Sequence, residues 1–373
     1  MSRDLALVGG TIYANPKDEP IHDGVVLIDG ETIAAVGPRA NLMIPEGAET
    51  LDCSGLTITA GFWNSHVHFF ERKWADAASI PAPELANQLQ DAFTRFGFTS
   101  VFDLSSLWEN TRRLRERVES GEVAGPRIRS TGEGLVAPGV VPSEQVLNTM
   151  GVMKTPLPEI TDAAQAAAAA KKLLAEGVDG VKVFAPFPDG AVEAVVAEAH
   201  AAGKPAFAHV NTGVDVLTAA RARVDVIAHT TPRSGPWDEA ILAAMKDAQV
   251  ALTPTLSIWK HFLRHDRISA QEQTIDTAVG QLRAWLATGG TVLFGTDLGA
   301  VGYDPTDEYA LIEEAGMTFN QIVTSLTTAP AERFGESKRL GRIAPGFQAD
   351  LVAFRSLSDV QYTLRAGKVT YAA

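Results

Sequence analysis

Two histidines one residue apart, His66-Val67-His68, close the segment Gly61-Phe62-Trp63-Asn64-Ser65-His66-Val67-His68-Phe69. The apolar lead-in Leu56-Thr57-Ile58-Thr59-Ala60 reads as a buried strand. Alternate side chains of a strand share a face, so both imidazoles point the same way and can reach a single metal ion. Compatible residues end later apolar runs: His209 after Pro205-Ala206-Phe207-Ala208, His229 after Val226-Ile227-Ala228, and Asp297 after Leu293-Phe294-Gly295-Thr296. Lys182 sits inside Val181-Lys182-Val183, where its charge is costly unless neutralised or bound. Each residue also has an ordinary reading. A strand-end histidine can cap a loop, Asp297 can be a helix N-cap, and Lys182 can extend its head to water. Taken together, the six metal-compatible residues point to one site.

Residues so far apart need a scaffold that brings strand ends together. From about residue 60 the chain alternates apolar strand, loop and alanine-rich helix. Strands are expected at 58–66, 99–103, 127–130, 180–184, 205–209, 224–229, 250–253 and 292–296, with helices at 161–176, 190–202, 236–247 and 270–288. Eight strands alternating with helices predict a closed parallel barrel, whose chemistry gathers at the C-terminal ends of the strands. A doubly wound open sheet is the alternative, but no glycine-rich phosphate fingerprint follows an early strand.

Before the barrel, Leu5-Ala6-Leu7-Val8, Thr11-Ile12-Tyr13, Gly24–Ile28 and Thr32–Val36 read as short antiparallel strands, separated by Gly9-Gly10, Asp29-Gly30 and Gly37-Pro38. Strand language returns in Ala349–Phe354 and Tyr362–Thr370. Neither end is enough for a stable sheet alone, so the termini are expected to pair. The expected fold is α/β: a (β/α)8 TIM-like barrel over 60–337, with a small β-sandwich domain built from 1–59 plus 338–373. The connection 132–160 follows the third barrel strand and is a candidate lid or pocket wall.

Composition narrows the function classes. The 373 residues are 46% hydrophobic and 21% charged, which suits a folded protein with a large core. A net charge of −13 opposes nucleic acid and anionic membrane at long range. The single cysteine, Cys53, allows no internal disulfide. The start carries no charged-then-apolar leader and no apolar run reaches spanning length, so cytoplasm is the expected compartment. The expected partner is a small-molecule substrate, with neither nucleic acid nor membrane; a homo-oligomer is left open.

On His66-Val67-His68, Val181-Lys182-Val183, His209, His229 and Gly295-Thr296-Asp297, the chain resembles the amidohydrolase superfamily. The flanks Asp29-Gly30…Ile33-Ala34-Ala35-Val36-Gly37 and Gly341-Arg342-Ile343-Ala344-Pro345-Gly346…Ala349-Asp350-Leu351-Val352 extend the resemblance over nearly the whole sequence. It is most similar to the imidazolonepropionase-like and prolidase-like branch, although Asn64 stands where many relatives carry Asp. The resemblance implies two divalent metal ions, zinc being the expected identity, bridged by a carboxylated Lys182. His66, His68 and Asp297 would complete one side, and His209 and His229 the other. A metal-bridging hydroxide would attack the substrate, with Asp297 as proton shuttle.

The activity this implies is hydrolysis of an amide or related C–N bond in a dipeptide, N-acyl amino acid or cyclic amide. One alternative is a mononuclear deaminase or cyclic-amidine hydrolase. Such deaminases tend to place a glutamate near the fifth-strand histidine, and His209-Val210-Asn211-Thr212-Gly213 offers none. The other alternative, a non-catalytic scaffold, would require lost ligands, and all are retained. Arg233, His261 and Tyr303 follow the sixth, seventh and eighth strands and are candidates to bind substrate, though each also reads as an ordinary loop or helix residue. Trp259-Lys260-His261-Phe262 is a candidate apolar pocket wall, and His261 and His265 lie four apart on an expected helix. His22 and His200 read as structural.

Overall fold

The computed structural model describes residues 5–140, 157–266, 271–299 and 301–373; the side chains of 262–266 and 271–273 also fall outside the description. His265 and residues 141–156 of the 132–160 connection therefore lie outside the described set. The N-terminal strands are β1 (Leu5–Ile12), β2 (Ile21–Asp29), β3 (Thr32–Pro38), β4 (Glu49–Asp52) and β5 (Thr57–Ala60). The next eight are β6 (Phe62–Val67), β7 (Phe98–Asp103), β8 (Arg127–Ser130), β9 (Val181–Phe184), β10 (Ala206–His209), β11 (Val226–Ala228), β12 (Ala251–Thr253) and β13 (Thr291–Val292). The chain ends in β14 (Leu351–Ser356), β15 (Asp359–Arg365) and β16 (Lys368–Ala372).

Both termini build one sheet, in the order β16-β15-β14-β5-β1-β2-β3, with β4 also paired to β1. Alternation along β1 sends Leu5 and Leu7 into a core with Val26, Ile28, Ile58, Leu351 and Leu364, while Ala6 and Val8 meet Val25 in a second cluster. Two expectations need correction. Gly9-Gly10 does not separate two strands but lies inside β1 as a bulge with shifted register. Gly9 has φ +88, and a Cβ on Gly10 would fall 2.6 Å from Ile58 Cδ1, so the bulge admits only small residues. The sheet is also mixed, not purely antiparallel, since β4 and β5 run parallel to β1.

β6 to β13 form two parallel arcs, β6-β7-β8 and β9-β10-β11-β12-β13. Backbone hydrogen bonds close both seams. At one, the N–H of Leu135 donates to the Lys182 carbonyl (2.8 Å) and that of Phe184 to the Leu135 carbonyl (2.9 Å). At the other, Ser65 donates to Phe294 (2.7 Å), Asp297 to His66 (2.9 Å) and His68 to Leu298 (2.8 Å). This is a (β/α)8 barrel, and the open-sheet alternative falls away. Part of the 132–160 connection, around Leu135, thus completes the barrel wall.

The eighth strand is regular only over Thr291–Val292 and not across 292–296 as expected. Its hydrogen bonding passes from β12, through Leu293 to Leu252, over to β6, and Asp297 turns to φ +57. Gly295 permits this crossing, since a Cβ there would fall 2.8 Å from His66 Cβ. The expected helices appear as Ala163–Ala175, Ala191–Ala201, Glu239–Asp247 and Gln271–Ala287. Asp162 and Asp238 cap the first and third by accepting the Gln165 and Ile241 N–H groups. Helix faces pack on outward strand residues such as Val101, Ile128, Val183 and Ile227. Inside the barrel, Phe102, Phe207 and Phe334 form an aromatic layer, with ring centroids 4.8–6.0 Å apart. Among the described residues no helix is long and apolar enough to cross a membrane.

Candidate metal centre

The barrel brings all six expected residues to its C-terminal mouth. His66 lies in β6 and His68 one residue beyond it, Lys182 in β9, His209 at the end of β10, His229 just after β11, and Asp297 beyond β13. The four imidazoles form a chain: centroids are 5.2 Å apart for His66 and His68, 4.8 Å for His66 and His229, and 4.7 Å for His229 and His209. Lys182 points inward, with Nζ 3.3 Å from His66 Nε2 and 3.2 Å from the Leu104 carbonyl oxygen. His66, His68, Lys182, His229 and Asp297 are buried, while His209 is half-buried.

Proton placement in this cluster bears on whether it fits a metal. His68 Nδ1 lies 3.2 Å from the Ser105 carbonyl, which can only accept, so in the neutral ring Nδ1 carries the proton and Nε2 presents a lone pair. That lone pair lies 2.9 Å from Asp297 Oδ1, and His66 Nε2 lies 3.3 Å from the same oxygen. Oδ1 has no hydrogen-bond partner although it is buried, and His66 Nδ1 has none either. Donor atoms of His66, His68 and Asp297 all lie within 4.8 Å of one another. Two imidazoles and a carboxylate converging in a buried site are a donor set that fits a divalent ion with nitrogen and oxygen ligands.

The electrostatics agree. Burial, reinforced by Lys182, keeps the His66 imidazole well below its usual range, and burial takes His229 down to about 4. Neutral imidazoles are the form that binds metal. Burial brings the Lys182 amine down to about 8, against the pull of Asp297 and Asp103. The Asp297 carboxyl lies well below its usual range although burial opposes its ionisation.

Backbone strain gathers at this rim: Ser105 (φ +98), His229 (φ +79), Thr255 (φ +46) and Asp297 (φ +57) all have left-handed conformations. Several supporting residues escaped the sequence reading. Asn64 clamps the barrel seam, its Nδ2 donating to Thr296 Oγ1 (2.8 Å) and its Oδ1 accepting from the Thr296 N–H (3.2 Å) and the His66 N–H (3.3 Å). Asp103, ending β7, accepts from Ser106 Oγ (2.5 Å) and Ser130 Oγ (2.6 Å) behind His68. Its place at a strand end was the available signal. Thr255 and Glu308 carry none, since their roles depend on contacts between distant elements.

The three substrate-binding candidates do not converge in the same way. The Tyr303 hydroxyl donates to the Glu71 carboxylate, with oxygens at 2.8 and 3.0 Å, and Lys73 Nζ lies over its ring. Arg233 is exposed in the short turn Pro232–Ser234, and His261 is half-buried on the helix Ser257–Asp266. Aromatic rings flank the histidines instead: Phe70 stacks on His68 at 4.6 Å and Phe184 lies 4.9 Å from His209.

A closed parallel barrel with histidines, a buried lysine and an aspartate at its C-terminal rim defines a (β/α)8 protein with a candidate metal centre. The chain belongs to the amidohydrolase family, whose sequence profile matches residues 57–372. It is similar to an adenine deaminase of Moorella thermoacetica, 24% identical over 352 residues, covering 92% of this chain and 52% of that protein. The chain thus spans about half the length of the curated relative it matches. Among solved structures it is similar to a Xaa-Pro dipeptidase with bound methionine (20% identity, TM-score 0.82, covering 99% of this chain and 100% of the other). A prolidase complexed with N-methylphosphonate-L-proline (24%, 0.77, 99% and 100%) and ochratoxinase of A. niger (20%, 0.78, 100% and 96%) are also similar. At these identities the structural likeness is one of fold.

Proposed function

We propose that this protein is a metal-dependent amidohydrolase that cleaves an amide or related C–N bond of a small molecule, such as a dipeptide, N-acyl amino acid or cyclic amide. The carrying observation is the convergence of His66, His68 and Asp297 in a buried site, their ligand atoms all within 4.8 Å of one another. His66, His68 and Asp297 would hold one ion and His209 and His229 a second, with Lys182, carboxylated on its amine, between them. Two bound ions, zinc in this reading, supply a Lewis acid for the substrate carbonyl and acidify water. The barrel, proposed as 60–337, carries every one of these groups, and the terminal unit, proposed as 1–59 plus 338–373, carries none.

The chain's own residues would do the rest. Neutral imidazoles donate lone pairs, and the apolar wall around Lys182 favours the uncharged amine that reacts with CO2. Asp297, ionised at neutral pH, would accept a proton from the attacking water and deliver it to the leaving nitrogen as the C–N bond breaks, giving a carboxylic acid and an amine. Phe70 and Phe184 would shield the mouth from bulk water.

One observation favours a second reading: His66, His68 and Asp297 alone suffice for a single ion, as a mononuclear deaminase would need. Metal analysis of protein purified with zinc and bicarbonate, followed by a screen of Xaa-Pro dipeptides, N-acyl amino acids, cyclic amides and aminopurines, tests both. Two equivalents and release of an amine from an amide support the first reading. One equivalent with release of ammonia from an aminopurine favours the second, and a metal-free inactive protein refutes both.

A further inference from the structure

We propose that Glu308 and Thr255 are positioning residues for His229, and that through it they set the affinity of the ion held on the His209 and His229 side. This rests on the two-metal reading. Glu308 lies in the helix Thr306–Glu314, is fully buried, and has no ion-pair partner among the described residues. Its carboxylate spans the start of the helix Ser257–Asp266: one oxygen accepts the Leu256 N–H (3.0 Å) and the other the Ser257 N–H (2.7 Å). These are among the N–H groups that a helix start leaves without internal partners, here satisfied by a side chain from another helix.

The residue just before them is Thr255. It has φ +46, a conformation that a β-branched residue adopts only when its surroundings enforce it. That conformation places Thr255 Oγ1 2.6 Å from His229 Nδ1. An imidazole that offers Nε2 as a ligand keeps its proton on Nδ1, so this ring donates to the Thr255 hydroxyl oxygen. His229 itself stands at φ +79, one residue past the regular part of β11, with its N–H bonded to the Thr253 carbonyl (2.9 Å). Its ring direction therefore depends on the loop that Glu308 secures. Burial raises the Glu308 carboxyl to about 7, despite its two backbone donors.

The test is zinc binding against a competing chelator, with bicarbonate present, for the wild type, Thr255→Val, Thr255→Ser and Glu308→Gln. The wild type is expected to bind two equivalents. Thr255→Val keeps the side-chain shape and loses the hydroxyl, so the first equivalent should bind within about threefold of wild type. The second should weaken about 10- to 100-fold, the usual effect of losing a partner behind a metal-bound histidine. Thr255→Ser should restore it. Glu308→Gln turns an N–H toward a backbone donor and should weaken the second equivalent about tenfold. If Glu308→Gln does not fold, as circular dichroism would show, the two Thr255 variants decide. Two unchanged equivalents in Thr255→Val overturn this proposal alone. A wild type that binds fewer than two overturns the two-metal reading and this proposal with it.

Discussion

His68 Nε2 and Asp297 Oδ1 face each other across 2.9 Å, joining the first and last strands of the barrel at its rim. With the neutral ring's proton committed to the Ser105 carbonyl, both atoms present lone pairs that a metal ion can take. Stripping metal with a chelator should therefore lower the melting temperature, which should recover when zinc is restored. An unchanged melting temperature would count against a metal at this position.

Asp297→Asn separates holding an ion from moving a proton. Asparagine tolerates the left-handed backbone found there (φ +57) and keeps a coordinating oxygen. The variant should retain zinc and lose about 10²- to 10⁴-fold in kcat, the usual range for removing an acid–base group. Near-wild-type turnover in a zinc-loaded variant would refute the assigned role.

Under the proposed two-metal reading, Lys182 would link pH to CO2 uptake. With its amine at about 8, the neutral fraction rises from roughly a tenth at pH 7 to roughly half at pH 8. Carbamate formation from ¹³C-bicarbonate, read by NMR at equal dissolved CO2, should therefore increase over that interval and level off at higher pH. Lys182→Ala should show no such signal and bind less zinc. A pH-independent signal would place the carbamate elsewhere.

Asn64 makes two hydrogen bonds to Thr296 across the barrel seam and a third to His66 within its own strand. Asn64→Ala leaves the buried Thr296 N–H without its partner and should destabilise the fold by about 1–3 kcal/mol in urea unfolding. Asn64→Asp, the residue many relatives carry, should be tolerated, because a carboxylate accepts from both N–H groups and from the Thr296 hydroxyl. Equal losses in the two variants would show that packing, not hydrogen bonding, sets this position.

Arg127 and Asp350 form a buried pair at 2.8 Å between the barrel strand β8 and the terminal sheet, with Arg127 also donating to Ser100 Oγ and Gln348 Oε1. Arg127→Ala strands a buried carboxylate and should cost about 3–5 kcal/mol, read by urea unfolding. Zinc stoichiometry should be unchanged, since none of these groups is at the metal centre. A loss under 1 kcal/mol, the scale of an exposed pair, would show that this pair does little to hold the two parts together.

The barrel was legible because strand and helix periods alternate along the chain, and His66, Lys182 and His209 because each falls within an apolar run that the fold turns into a strand. Gly9-Gly10 was misread as a turn, since a glycine pair marks a bulge as readily as a hairpin and only the Ile58 contact distinguishes them. Tyr303 is a substrate-binding candidate by its place in a loop after the last strand, and only the structure reveals that its hydroxyl meets Glu71, a partner 232 residues away.

The sequence by itself determined which atoms are available for chemistry, because ligand type and strand-end position are local properties. Only the tertiary structure decided how those atoms are held: the left-handed turns at His229, Thr255 and Asp297, the clamp by Asn64, and the carboxylate of Glu308 behind them. Such contacts join residues dozens to hundreds of positions apart, and no local pattern encodes them. Close packing at one mouth of the barrel creates them all at once.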